Sequence, residues 1–100
     1  MSVESEVSLD GNKLTIAVKG RFDFGSHQAF RDAYERFYKV PTTYVVDLKE
    51  TTYLDSSALG MLLLLRNHAG DDADIRVVSS NPDVRKIPGI SNSDKLFAIS

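Results

Sequence analysis

The most informative segment of the sequence is Thr52–Gly70, TYLDSSALGMLLLLRNHAG. A strand ends in its first residues, and Asp55-Ser56-Ser57 leads into a leucine-rich helix. That helix is predicted to begin near Ser56 and to stop at Gly70, because glycine readily adopts the conformation that follows a helix C-terminus. The stretch therefore predicts a strand-to-helix junction with a serine at its turn.

Ser56 is predicted to cap this helix, since a serine hydroxyl at the N-cap accepts a hydrogen bond from a backbone N–H one turn on. The unpaired N–H groups and the helix dipole also favour an anion there. A phosphate on Ser56 would then be tolerated by the fold, with about 0.3–2 kcal/mol of stabilisation from the dipole. It would add about −1.5 to −2 charges at that point.

The helix carries more apolar surface than packing on one sheet face requires. At about 100° per residue, its apolar side chains leave only a narrow polar sector around Asn67 and Gly60. The leucines of 59–65 are core residues first, but the surplus predicts that two or three of them meet a second helix or a partner protein.

Towards the N-terminus, two apolar-alternating runs flank Asp10-Gly11-Asn12, which predicts a β-hairpin from Val3–Leu9 and Leu14–Lys19. The following GRFDFG (20–25) is predicted as a loop, with Ser26 as the N-cap of a helix. The apolar spacing of that helix is typical of an amphipathic stripe, and Pro41 ends it. The stripe consists of Phe30, Ala33, Tyr34, Phe37 and Tyr38.

The remaining segments complete a β-β-α-β-α-β-α-β order. TYVVDL (43–48) and IRVVS (75–79) are predicted strands, NPDVRK (81–86) opens a short helix, and Leu96–Ile99 is a last strand. This order predicts one α/β domain over residues 1–100. It has a mixed sheet of about five strands, an N-terminal hairpin and helices mainly on one face.

A parallel pairing of the strands that end near Lys19 and Leu48 would bring loops 20–25 and 49–55 to one edge of the sheet. In open α/β sheets, ligands and partners bind at the carboxyl ends of the strands. Asp23, His27, Asp55 and Ser56 are therefore expected on one rim.

Asp55-Ser56-Ser57-Ala58-Leu59-Gly60 resembles the signature of the STAS domain (sulphate transporter and anti-sigma factor antagonist). The family motif reads Asp-Ser-Ser/Thr-Gly-Leu/Ile-Gly, and the GRFDF, YVVDL and NPDVRK stretches resemble other parts of the family. The chain is most similar to stand-alone bacterial anti-sigma factor antagonists. Two departures are Ala58 in place of the usual glycine and a C-terminus without the helix that many members add.

The resemblance implies a partner switch, and the lack of a predicted signal peptide or membrane span favours a cytoplasmic protein. The unphosphorylated form would bind a cognate anti-sigma factor that is also a serine kinase, and so free sigma. Phosphorylation of Ser56 would release that partner, and a serine phosphatase would reverse the modification. Ser57 is the alternative phosphosite, and both Ser56 and Asp55 could also serve only as capping or turn residues. The residues assigned to partner binding are Asp23, Asp55, Ser57, Ala58, Leu59, Met61 and Leu62.

Composition and motifs narrow the function further. The 100 residues carry a net charge of −2, no cysteine and 42% hydrophobic residues, which is ordinary globular composition without the basic surface of a nucleic-acid binder. No apolar run approaches the length of a membrane span, so no membrane insertion is expected. No motif predicts a cofactor or metal site.

Catalysis is not expected either. His68 lies about 18 Å along the helix from Ser56 and cannot act as its base, while His27 is expected to be solvated. A small serine hydrolase remains a minor alternative. A second alternative keeps the fold but makes the chain a scaffold or regulatory subunit of a larger assembly, such as a lipid-transport ATPase or a stress-sensing complex.

Overall fold

The computed structural model describes residues 2–35, 41–70, 72–79 and the backbone of 98–99. The described elements form one sheet and two helices. In chain order they are β1 (Ser2–Val7), β2 (Lys13–Phe22), α1 (His27–Glu35), β3 (Thr43–Asp47), β4 (Thr51–Leu54), α2 (Ser56–Ala69), β5 (Asp74–Val78) and β6 (Ala98–Ile99). The helix predicted over 81–86 lies outside the described residues, as do Phe37, Tyr38 and Leu96.

The sheet is mixed, in the order β1-β2-β3-β5-β6, with β4 attached to β2 beyond the end of β3. The predicted hairpin is confirmed: β1 pairs antiparallel with β2, and Val7 lies opposite Leu14. The remaining pairings are parallel. Parallel neighbours need crossover connections, and α1 and α2 lie in two of these.

One face of the sheet carries the core. Side chains of alternating strand residues point to the same face, and those on the inner face are fully buried together with one side of each helix. Both helices therefore contribute to a single core on one face, as predicted. The buried apolar strand residues are Leu14, Ile16, Val18, Phe22, Tyr44, Val46, Ile75 and Val77.

Two loop predictions were wrong in part. The predicted loop 20–25 begins with β2, which continues to Phe22. The predicted loop 49–55 contains β4, the strand that is expected to end just before Asp55. Gly20 lies at a register shift between β2 and β4 and has φ 87°, a conformation that glycine adopts without strain. Its N–H donates to the Glu50 carbonyl at 3.1 Å. Gly20, which in the sequence resembles a strand breaker, therefore allows β2 to continue past a bulge.

The helix starts also differ from the prediction. Ser26 is the last residue of a 3₁₀ turn, Phe24–Ser26, whose N-cap is Asp23. The Ser26 hydroxyl is buried and donates to the Arg21 carbonyl at 2.9 Å, so it ties the turn to β2. Asp55, not Ser56, is the N-cap of α2, and Gly70 follows the helix with φ 88°.

Tyr44 presents a testable feature of the core. It is fully buried, and its hydroxyl has no hydrogen-bond partner in the described part of the chain. Because an unpaired buried hydroxyl carries a desolvation penalty, Tyr44→Phe is expected to raise the free energy of unfolding by up to about 1 kcal/mol. Urea denaturation measures this change.

Tyr53→Phe is the matched control, since that hydroxyl donates to Asp55 Oδ2 at 3.3 Å. Removing a hydroxyl that has a partner should leave stability unchanged or lower it. A clear loss of stability in Tyr44→Phe would show that its hydroxyl is paired in solution.

Candidate functional site

The candidate site is a rim formed where β2 and β4 end side by side. Arg21 lies opposite Tyr53 and Phe22 opposite Leu54 in the parallel register. The chain therefore leaves the two strands at neighbouring points, through Asp23 on one side and Asp55 on the other. We define the rim as Arg21, Asp23, Tyr53, Asp55, Ser56 and Ser57.

Asp23 organises the β2 side of the rim. Its Oδ1 accepts the Gly25 N–H at 3.0 Å, and its carbonyl accepts the Ser26 N–H at 2.9 Å. Its Oδ2 accepts the Arg21 Nε–H at 3.1 Å. Asp23 thus caps the 3₁₀ turn and holds the Arg21 side chain at the same time.

Asp55 likewise caps the helix on the other side of the rim, at the start of α2. Its Oδ1 accepts both the Ser57 N–H, at 3.0 Å, and the Ser57 hydroxyl. The Tyr53 hydroxyl donates to the other carboxylate oxygen. These bonds explain why the helix begins here, since an aspartate side chain satisfies a first-turn N–H that the helix leaves unpaired.

Arg21 and Tyr53 join the two sides. The Arg21 guanidinium carbon lies 4.0 Å from the centre of the Tyr53 ring, which is within range of a cation–π interaction. Contacts therefore run without a break from Asp23 through Arg21 and Tyr53 to Asp55. Sequence reasoning missed Arg21 and Tyr53, although each lies two residues before a predicted site residue, Asp23 or Asp55.

The rim keeps Asp55 ionised. The Ser57 hydroxyl bond is the main cause that lowers the pKa of Asp55 below its ordinary value, and partial burial opposes it. The Ser57 N–H, the Tyr53 hydroxyl and the positive charge of Arg21 lower this pKa further. The site thus holds a fixed negative charge directly before Ser56.

Ser56 itself is the first residue of α2 and is exposed. Its hydroxyl makes no hydrogen bond to any residue that the structure describes, whereas the Ser57 hydroxyl is bonded to Asp55. Of the two serines, Ser56 is therefore the more accessible to a modifying enzyme. The capping role predicted for Ser56 belongs to Asp55.

Three of the predicted partner-binding residues face the core instead. Ala58, Met61 and Leu62 are buried and belong to the core cluster, so their side chains do not fit a direct partner contact. Leu59 is half-buried against the same cluster. The apolar side chains that α2 does expose are Leu63, at 39%, and Leu64, at 48%.

A further exposed apolar residue lies on the rim side of the fold. Phe24 is 75% exposed, and its ring stacks on that of His27 at 5.8 Å between centres. The other histidine, His68, packs against Tyr34 with ring centres 4.9 Å apart. Neither histidine donates to or accepts from Ser56 among the described contacts, so no general base for this hydroxyl emerges there.

The described residues contain neither a candidate membrane span nor a candidate metal cluster. None of the helices described is both long and apolar enough to cross a membrane. In the same part of the chain, no three His, Cys, Asp or Glu side chains gather as metal ligands would.

Comparison of the sequence with known proteins gives two findings. The family model described as "Mlab, STAS domain" matches residues 5–98. A STAS-domain containing protein of Pseudomonas aeruginosa (strain UCBPP-PA14) is 59% identical over 101 residues, with 100% of each chain covered.

Two solved structures share the fold. An anti-sigma factor antagonist from Mycobacterium paratuberculosis has a TM-score of 0.73 at 22% identity, covering 98% of this chain and 85% of that chain. The Bacillus cell fate determinant SpoIIAA in its phosphorylated form also has a TM-score of 0.73, at 17% identity, covering 99% and 91%.

Removing the cap of α2 tests the local energetics. Asp55→Ala should lower the free energy of unfolding by about 0.5–2 kcal/mol at neutral pH, as loss of an N-cap does elsewhere. Because the folded-state pKa of Asp55 is lowered, the stability linked to its ionisation is present above about pH 4, the ordinary pKa, and is lost as the pH falls through the folded value. Urea denaturation at pH 7 and at pH 3 measures both effects.

Asp55→Asn is the control, since the amide oxygen can still accept the Ser57 N–H while the charge is gone. It should retain more stability than Asp55→Ala at neutral pH, with a weaker dependence on acid. Equal stability of the wild type and Asp55→Ala at pH 7 would contradict the capping role.

Proposed function

Because the chain belongs to the STAS domain family, we propose that it is an anti-sigma factor antagonist in a cytoplasmic partner-switching pathway. The unphosphorylated protein binds an anti-sigma factor that is also a serine kinase, and phosphorylation of Ser56 releases it. A serine phosphatase restores the binding form. The observation that carries this proposal is the exposed hydroxyl of Ser56, which has no hydrogen-bond partner among the described residues and lies beside the ionised Asp55.

The two charge states of Ser56 would present different surfaces to a partner. The rim contains the charges of Arg21, Asp23 and Asp55, which sum to −1, so it is already slightly acidic. A phosphate brings about two further negative charges. A partner fitted to the hydroxyl would then meet both added bulk and like charge, and like charges placed across an interface cost several kcal/mol.

The exposed apolar residues near the rim and on α2 support a partner contact on this side of the fold. Phe24 is on the β2 side of the rim, while Leu63 and Leu64 follow Ser56 by about two turns along α2. With the half-buried Leu59, they replace the buried Ala58, Met61 and Leu62 in the proposed contact set. Asp23, Asp55 and Ser57 remain in it as the polar residues around the switch.

The switch is tested with purified protein and a panel of anti-sigma factors from the bacterium that carries this chain. Ser56→Asp should weaken binding to the cognate factor about tenfold or more, equivalent to at least about 1.4 kcal/mol. Ser56→Ala should bind and resist release when ATP is added. Isothermal titration calorimetry gives the affinities, and mass spectrometry locates any phosphate.

Ser57→Ala is the matched control, because it leaves the Ser56 hydroxyl in place. It should still accept phosphate at position 56, although loss of its bond to Asp55 will cost some stability. Phosphate on Ser57 alone, or equal affinity of the wild type and Ser56→Asp, would count decisively against the switch at Ser56.

Gly60 offers an independent test of the contact surface. It is exposed in the middle of α2, and a Cβ added there would meet nothing within 4 Å. Glycine inside a helix is less stable than alanine by about 0.8–1.0 kcal/mol, and no packing within the described chain requires it. Gly60→Ala should therefore stabilise the free protein by roughly that amount while weakening partner binding.

Asn67→Ala, another exposed substitution on α2, is the control for general changes to the helix. It should alter binding less than Gly60→Ala does. If Gly60→Ala is stabilised and binds with wild-type affinity, the partner does not approach the helix at this point.

The second candidate is a scaffold or regulatory subunit of a larger assembly, such as a lipid-transport ATPase or a stress-sensing complex. What favours it is the family comparison, which shows the domain and not the pathway. This role predicts co-purification with membrane ATPase subunits or stress-complex proteins that Ser56→Ala and Ser56→Asp leave unchanged. The anti-sigma role predicts that Ser56→Ala retains the anti-sigma factor and that Ser56→Asp binds it more weakly.

A further inference from the structure

The guanidinium of Arg21 is fixed through its Nε–H and one face, while its two terminal nitrogens remain available. Its Nε–H donates to Asp23 and its carbon lies over the Tyr53 ring. Nη1 and Nη2 donate to no acceptor in the part of the chain that the structure describes, and the side chain is 61% exposed. We propose that these two nitrogens bind the phosphoryl group of Ser56 when that serine is phosphorylated.

The strand register brings Arg21 to the start of α2. Arg21 lies opposite Tyr53, and the Tyr53 hydroxyl donates to Asp55, the residue before Ser56. The ring on which the guanidinium rests thus extends to the turn that carries the serine. The charge of Arg21 also acts on that turn, since it is one of the causes that lower the pKa of Asp55.

The N-terminus of α2 is less suited than Arg21 to bind the phosphate. The carboxylate of Asp55 already accepts the Ser57 N–H, and the Asp55 carbonyl accepts the Ala58 N–H at 3.0 Å. The same carboxylate would repel a second anion. A cation is therefore needed to offset the phosphate, and Arg21 supplies one on the neighbouring strand.

A guanidinium suits this task because its paired N–H groups match two phosphate oxygens. Asp23 and Tyr53 already restrict the side chain, so less conformational entropy is lost when the phosphate binds. Asp23 is thereby a positioning residue that orients Arg21. Asp23 would therefore assist phosphate binding by holding Arg21, without touching the phosphate itself.

This inference rests on the proposed function only in that Ser56 is taken to be phosphorylated. The test introduces phosphoserine at position 56 by genetic encoding, so it requires neither the kinase nor the partner. The protein is made with the wild-type sequence and as Arg21→Gln, Arg21→Lys and Arg76→Gln. Phosphorus NMR then follows the phosphoserine signal against pH and gives its second pKa, ordinarily about 6.

Arg76→Gln is the matched control. Arg76 on β5 also donates through Nε to an aspartate two residues away, Asp74, at 2.9 Å, and its side chain is likewise 61% exposed. It differs from Arg21 in lying on another strand. Any effect that depends only on the loss of one surface charge should appear equally in both variants.

We expect the second pKa of the phosphoserine to be higher in Arg21→Gln than in the wild type by about half a pH unit, the size expected for one nearby cation in water. Arg76→Gln should match the wild type. Arg21→Lys, which keeps the charge but not the paired donors, should fall between the two. An equal pKa in the wild type and Arg21→Gln, or an equal shift in both glutamine variants, overturns the inference.

Binding measurements on the same proteins separate this inference from the proposed function. If phosphorylation at position 56 releases the anti-sigma factor but the second pKa of the phosphoserine is the same in the wild type and Arg21→Gln, the switch is supported and the arginine site is wrong. If the pKa depends on Arg21 but the phosphorylated protein still binds the anti-sigma factor, the arginine site stands and the switch is wrong.

Discussion

The structure depends above all on the pairing of β2 with two successive partners. Its first half pairs with β3, and its last three residues pair with β4, which begins after a short turn. The buried Thr51 hydroxyl secures this change of partner by donating to the Val18 carbonyl at 2.8 Å. Because β2 and β4 run parallel to their ends, Phe22 lies beside Leu54. The two chain segments that follow are thereby placed next to each other, and the rim exists for that reason.

Most of the fold follows from patterns that are local in the sequence. The alternation around Asp10-Gly11-Asn12 predicts the hairpin, and the spacing of Phe30, Ala33 and Tyr34 predicts the buried side of α1, as the structure has them. The extension of β2 and its pairing with the four-residue β4 could not be predicted in the same way. Gly20 resembles a strand breaker, and only its pairing with the chain near Glu50 shows that it continues the strand. Such a pairing depends on the register between distant segments, which one sequence does not specify.

The same distinction applies to the site. Asp55 and Ser56 belong to a local motif, whereas Arg21 and Tyr53 join the site through cross-strand contacts that need the register first. The side of α2 that faces the sheet could have been predicted from the sequence. Gly60 and Asn67 mark its polar sector, and at about 100° per residue this sector is flanked by Leu63 and Leu64, the two leucines of the helix that are exposed. Ala58, Met61 and Leu62 lie on the opposite side and face the sheet. The family motif points to α2, and the helical geometry indicates which side of this helix is exposed.

The placement of Asp55 and Ser56 separates the cap of α2 from the proposed phosphorylation site. If Ser56 were the N-cap, its hydroxyl would accept a backbone N–H, and phosphorylation would alter the group that begins the helix. In the structure, Asp55 carries out the capping, and its lowered pKa keeps it ionised at neutral pH. Ser56 stands one residue further on, with its hydroxyl outside the described hydrogen bonds of the rim. A charge added there changes the surface that a partner meets, while the cap, the helix and the core beneath it remain as they are.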